Sequence, residues 1–240
     1  GLQSILIKAN ITYTNKINFL RYNNMKYKLT IPTSLKEIKL KQYQQFLKVA
    51  SDNDNEDFLQ QKAIQIFCGV PLIYVSQMKQ KDVNEIANKI IALFSQKPKL
   101  INRFKIGDLE FGFIPNLDEM TSGEYIDLDS YISNWQEMHK AMAVLYRPIT
   151  EKQKEKYSIE PYVSSINYAE VMEQMPLEVA LSATVFFWTL GIDLLKSTKN
   201  FLEKDKAAMN ILKQHNLDKN GDGILQSMDL LRETLDDLMR

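Results

Sequence analysis

A chain of 240 residues, 45% apolar and 25% charged, has the composition of a globular protein of one or two domains. Its 8 Gly and 7 Pro are too few for a many-turned all-β fold and favour long helices. The 30 Lys and Arg balance the 30 Asp and Glu with no dense basic block, so the electrostatic footprint of a nucleic-acid-binding protein is missing.

The first 24 residues carry Lys8, Lys16 and Arg21 but no acid, and lack the compact apolar segment of a secretory signal. Met25 then opens M-K-Y-K-L-T-I-P in the manner of a natural start. Residues 1–24 are accordingly expected to be an extension, disordered or not native to the protein. Residues 25–200 are expected to form a helical domain with a small β-hairpin, and residues 201–240 a helix-loop-helix.

Tyr27 to Ile31 alternates as a short strand and stops at Pro32. Thr33-Ser34 offers a cap, with Glu37 at capping-box spacing from Ser34. Leu35, Ile38, Tyr43, Phe46, Leu47 and Val49 then predict an amphipathic helix to about Ala50. The acidic stretch Ser51 to Asp57 has no Gly at the sixth position from Asp52 and Ala63 at the twelfth, so it reads as a solvated loop and helix start. Helix is expected from Phe58 to Cys68, closed by Gly69 and Pro71, and again from Lys81 to Phe94. Cys68 is the lone cysteine, which rules out an intramolecular disulfide and suits a reducing compartment. Its apolar neighbours make it a core residue rather than a nucleophile.

Phe104 to Pro115 carries Gly107-Asp108 between two alternating apolar segments, a hairpin signal. Thr121 and Glu124 stand at capping-box spacing before a helix whose Tyr125, Leu128, Tyr131, Ile132 and Trp135 are expected to share one face. A further helix runs from Trp135 to Tyr146 and stops at Pro148. Thr150 to Ser158 reads as a charged loop and Tyr168 to Met175 as a short helix. Pro176 opens the next helix, to about Lys196. Its apolar run, Val179 to Ile192, is too short to span a membrane and is expected to be a buried core helix. Asn200 to Asn216 reads as polar helix and Leu225 to Met239 as the last one. The fold class expected is mainly α, a helical bundle with one small antiparallel β element.

The most specific chemistry lies in D-K-N-G-D-G-I-L-Q-S-M-D. A calcium ion takes six to eight oxygens, and a twelve-residue loop supplies them with Gly at the sixth position for the sharp turn. Asp218, Asn220, Asp222, Ile224, Gln226 and Asp229 fall at the first, third, fifth, seventh, ninth and twelfth positions, and Gly223 at the sixth. The stretch resembles an EF-hand loop. The shorter Asp229 in place of Glu implies weak calcium binding, with magnesium the alternative. Lys213 and Gln214 stand where an incoming helix usually packs, and no second loop pairs with it. The competing reading is an Asx- and Gly-rich turn between two helices. Either way the role expected is structural.

Elsewhere the sequence offers no P-loop, dinucleotide glycine motif, H-E-x-x-H or G-x-S-x-G, so no enzyme is expected. His139 reads as a packed or surface residue, and His215 lies just before the loop. The 10 Met residues, among them Met120, Met138, Met142, Met172 and Met175, read either as core filling or as a groove for an amphipathic partner helix.

Three phrases carry a resemblance: Phe113 to Tyr131 (F-I-P-N-L-D-E-M-T-S-G-E-Y-I-D-L-D-S-Y), Met138 to Ile149 (M-H-K-A-M-A-V-L-Y-R-P-I) and Met175 to Trp188 (M-P-L-E-V-A-L-S-A-T-V-F-F-W). Through them residues 25 to about 196 resemble small structural-module proteins of tailed bacteriophages, some described as tail assembly chaperones. The resemblance implies a non-enzymatic protein that binds a helical tail protein such as the tape measure, in the cytoplasm of an infected bacterium. The alternatives are a virion component of tail, neck or baseplate and a calcium-binding interaction module. The partner expected is a protein, with no nucleic acid and no membrane; a homo-oligomer stays open.

Overall fold

The computed structural model describes residues 12–14, 17–22, 25–96, 98–154 and 156–204, and side chains within 29–190. The chain divides into two compact units, Gly1–Gln96 and Lys97–Arg240.

The first unit opens with a three-stranded antiparallel sheet in the order β1 (Thr12–Thr14), β2 (Ile17–Tyr22), β3 (Met25–Leu29). The strand expected from Tyr27 thus begins at Met25 and pairs with a strand from within the first 24 residues, Tyr22 opposite Met25. Glu37 accepts from the Thr33 hydroxyl at 2.7 Å and from its backbone N–H at 3.2 Å. The capping carboxylate therefore serves Thr33, not Ser34, and closes only a 3-10 turn, Leu35–Glu37. Helix α1 (Leu40–Ala50) follows, then α2 (Glu56–Cys68), α3 (Leu72–Val75) and α4 (Gln80–Leu93). Asn55 caps α2 by accepting from Phe58 N–H at 2.9 Å, and Gly69 ends it in the left-handed region at φ 66°, which glycine adopts without a Cβ clash. Leu40, Tyr43, Ile64, Phe67, Val83, Ile86 and Ile90 form the core at the spacing of one helical face each. Gln42 ties α1 to α2 by donating to Ile66 C=O at 2.7 Å. Cys68 is half-buried rather than fully enclosed.

The second unit is built on a four-stranded antiparallel sheet in the order β4 (Arg103–Ile106), β5 (Leu109–Phe113), β6 (Tyr146–Gln153), β7 (Lys156–Ile159). Helices α5 (Ser122–Tyr131), α6 (Met138–Leu145), α7 (Ile166–Met172) and α8 (Leu177–Lys204) complete it. The β4–β5 hairpin turns at Gly107, φ 59°, as its sequence predicts.

A helical bundle with one small β element is thus not the fold. The described residues mix helices with two antiparallel sheets. The main difference lies at Thr150 to Ser158, which reads as a charged loop but stands within the β6–β7 hairpin. Pro148 and the run of Lys and Glu hide its alternation. Pro148 is tolerated inside β6 because its C=O faces β7, accepting from Glu160 N–H at 2.9 Å. Its missing donor therefore points to the same side, beside a register shift between Ile149 and Glu151. The sheet packs through Phe104, Phe111, Phe113 and Tyr146, whose rings meet at 5.2–5.5 Å, mostly edge to face. Along the described side chains of α8, Leu177 and Val179 to Thr184 are buried, and Leu190 is exposed. Ser182 ties that helix to the strand approach by accepting from Ile101 N–H at 3.1 Å.

Candidate functional site

The metal ligands expected from sequence, Asp218, Asn220, Asp222, Ile224, Gln226 and Asp229, lie outside the described residues, as does His215. Among the described residues no group of three or more His, Cys, Asp or Glu could hold a metal ion. The methionines divide the other way from a groove. Met138, Met142, Met172 and Met175 are at most 1% exposed, so they fill the core of the second unit. For these four the core-filling reading is the one that holds. His139 is half-buried on α6.

The densest polar cluster is one the sequence only half announced. Thr121 and Glu124 form the capping box expected of α5: the Thr121 N–H and hydroxyl donate to Glu124 Oε2 at 2.6 and 2.8 Å. The other oxygen, Oε1, accepts from Arg147 Nη1 at 2.5 Å. Both residues are buried, and Arg147 comes from β6, 23 positions away, so no local pattern links them. Arg147 Nη1 also donates to Val144 C=O at 3.1 Å, while its Nε has no hydrogen-bond partner. Burial alone would raise the Glu124 carboxyl. The hydrogen bonds from Thr121 and the Arg147 cation outweigh it and hold the group below its usual range. A charge so bound is structural: each oxygen is already occupied.

Tyr162 closes this cluster from the loop between β7 and α7. Its ring lies 5.4 Å from the Arg147 guanidinium, a cation–π contact, and its hydroxyl donates to Asp127. Burial and the Asp127 bond push that phenol up to about 12. The ring also covers Gly123 on α5, where an added Cβ would stand 3.8 Å away. Gly123 and Asp127 stand one turn apart on α5, so Tyr162 is pinned against that face of the helix. Ile126 is 61% exposed, Val163 in the loop 79%, and Ile166, the first residue of α7, 76%. Tyr125 was expected on the buried face with Leu128, but it is 57% exposed. The inward stripe of α5 is centred on Glu124 and Leu128 instead. A rigid polar anchor thus presents large apolar side chains to solvent.

Two surface concavities accompany it. One, about 620 Å³, lies in the second unit against Asn102, Phe113, Asn116, Lys156 and Tyr157. Its polar groups are partly committed: Asn116 caps Asp118 N–H, and Tyr157 donates to Phe113 C=O at 2.8 Å. The other, about 590 Å³, lies in the first unit against Lys48, Asp52, Lys62 and Gln65. Neither brings together a nucleophile and a base.

No known family model, curated protein or solved structure matches this chain. No helix among the described residues is long and apolar enough to cross a membrane.

Proposed function

We propose that this chain is a non-enzymatic assembly protein of a tailed bacteriophage, acting in the cytoplasm of the infected cell by binding another tail protein. The observation that supports the reading is where the three resembling phrases fall. Phe113 to Tyr131 supplies the end of β5 and α5, Met138 to Ile149 supplies α6 and the start of β6, and Met175 to Trp188 begins α8. All three belong to the second unit, so the phrases that carry the resemblance lie in one folding core rather than on scattered surface. That core buries its titratable pair in a structural role and spends exposed area on apolar side chains, which suits binding better than catalysis. The stretch 218–229 is read as a weak calcium site with a structural role; its ligand spacing supports this.

The test follows the chain through infection. A tail assembly chaperone is found with a phage tail protein in the lysate and is absent from purified particles. Recovery in stoichiometric amount with the particles would make it a virion component instead. Absence from both sinks the reading.

A further inference from the structure

The concavity of about 620 Å³ in the second unit is built by separate parts of the chain. Asn102 precedes β4, Phe113 ends β5, Lys156 and Tyr157 open β7, and Phe186 comes from α8. Asp118 reaches it from the 3-10 turn Leu117–Glu119. The volume lies within the range of about 300–1,000 Å³ usual for small-molecule sites. Its walls are set before any ligand arrives. Tyr157 donates to Phe113 C=O at 2.8 Å, and its ring lies so close to Gly112 that an added Cβ would overlap it. The Phe113 and Phe186 rings meet edge to face at 5.9 Å. Asn116 accepts from the Asp118 N–H at 3.1 Å, which fixes the turn carrying that carboxylate. The charges at the rim are not spent. Among the described residues, Lys156 and Asp118 pair neither with each other nor with any other side chain, and the Asn102 side chain has no partner. Arg103 stands 6.0 Å from the Tyr157 ring but is not among the residues that line the concavity.

An aromatic wall with one free ammonium and one free carboxylate at its rim matches a ligand that has a flat apolar body and both charges of its own. We propose that this concavity binds a small aromatic zwitterion of the amino-acid type, its ring against Tyr157 and Phe186, its carboxylate toward Lys156 and its ammonium toward Asp118. A purely apolar ligand would leave both rim charges unused. A singly charged one would meet a like charge with nothing to offset it. Such binding goes beyond the assembly reading and does not depend on it.

The experiment titrates the full chain by calorimetry with L-phenylalanine and with three relatives. Phenylpropionate lacks the ammonium, phenylethylamine lacks the carboxylate, and glycine lacks the ring. L-phenylalanine is expected to bind saturably, each singly charged analogue about two- to fivefold more weakly, the scale of one exposed ion pair, and glycine not at all. In Lys156→Met, L-phenylalanine should lose its advantage over phenylethylamine, and in Asp118→Asn its advantage over phenylpropionate. Both positions are exposed, so the variants should keep the native melting temperature. No saturable binding of L-phenylalanine up to its solubility overturns the proposal. So does equal binding of the three aromatic ligands, binding of glycine as tight as that of L-phenylalanine, or binding indifferent to both substitutions.

Discussion

Removing the Glu124 carboxylate tests how the second unit is held together. In Glu124→Ala the Arg147 guanidinium stays buried with only Val144 C=O left to accept from it, and its Nε is already without a partner. Breaking a buried pair from one side costs about 3–5 kcal/mol, because the remaining charge is uncompensated. The same change removes the reciprocal half of the α5 cap, about 1 kcal/mol more. The sum, about 4–6 kcal/mol, corresponds to a fall in melting temperature of roughly 8–24 °C for a protein of this size. Both tryptophans, Trp135 and Trp188, lie in the second unit, so fluorescence in a urea titration reads that unit. A double variant, Glu124→Leu with Arg147→Met, should cost less than Glu124→Ala, since neither charge is orphaned. Acid provides a second arm. The carboxyl is held below its ordinary value of 4.5, so its stabilisation is complete above that pH and is lost as pH falls through the lower folded value. In Glu124→Ala the stability of this unit should therefore vary less with pH across that window. A loss below about 1 kcal/mol in Glu124→Ala would mean that water reaches the pair, and the account of a rigid anchor would be wrong.

Gly112→Ala should destabilise the sheet by about 1–3 kcal/mol. The new Cβ would stand 2.9 Å from Tyr157 Cδ2 and 3.0 Å from Ile149 Cγ1, and the Tyr157 ring is tethered through its hydroxyl to Phe113 C=O. Urea unfolding measures it. Burial pushes the Cys68 thiol up to about 12, so at pH 8 about one molecule in ten thousand carries the thiolate. A disulfide reagent should label the native protein far more slowly than the unfolded one; equal rates would place the thiol in water. Calcium titration by calorimetry should show weak saturable binding that is lost in Asp218→Ala with Asp222→Ala. An absence of heat at millimolar calcium would make the stretch a turn.

Much of the local chemistry was legible because it acts over three or four residues. The Thr121–Glu124 box, the Gly107 turn and the Gly69 helix end each satisfy a backbone need that adjacent residues reveal. What was not legible is set across the chain. Arg147 reads as an ordinary charged residue until β6 places it against α5. The β6–β7 hairpin was hidden because Pro148 and a run of charges suppress the alternation that marks a strand, while a cross-strand partner supplies its stability. On α5 the periodicity set Tyr125 with Leu128, but the carboxylate of Glu124 turned inward to meet Arg147 and rotated the apolar Tyr125 and Ile126 to solvent. The exposed face thus follows from the buried ion pair, and no reading of hydrophobic spacing alone could have found it.

The most direct test of the central claim places a photo-crosslinking amino acid at position 126 of the full chain in phage-producing cells. The account predicts an adduct with a phage-encoded tail protein, abundant in the cell and missing from purified particles. Crosslinks to no phage protein, while an exposed control position such as Ile73 in the first unit behaves the same, would contradict it.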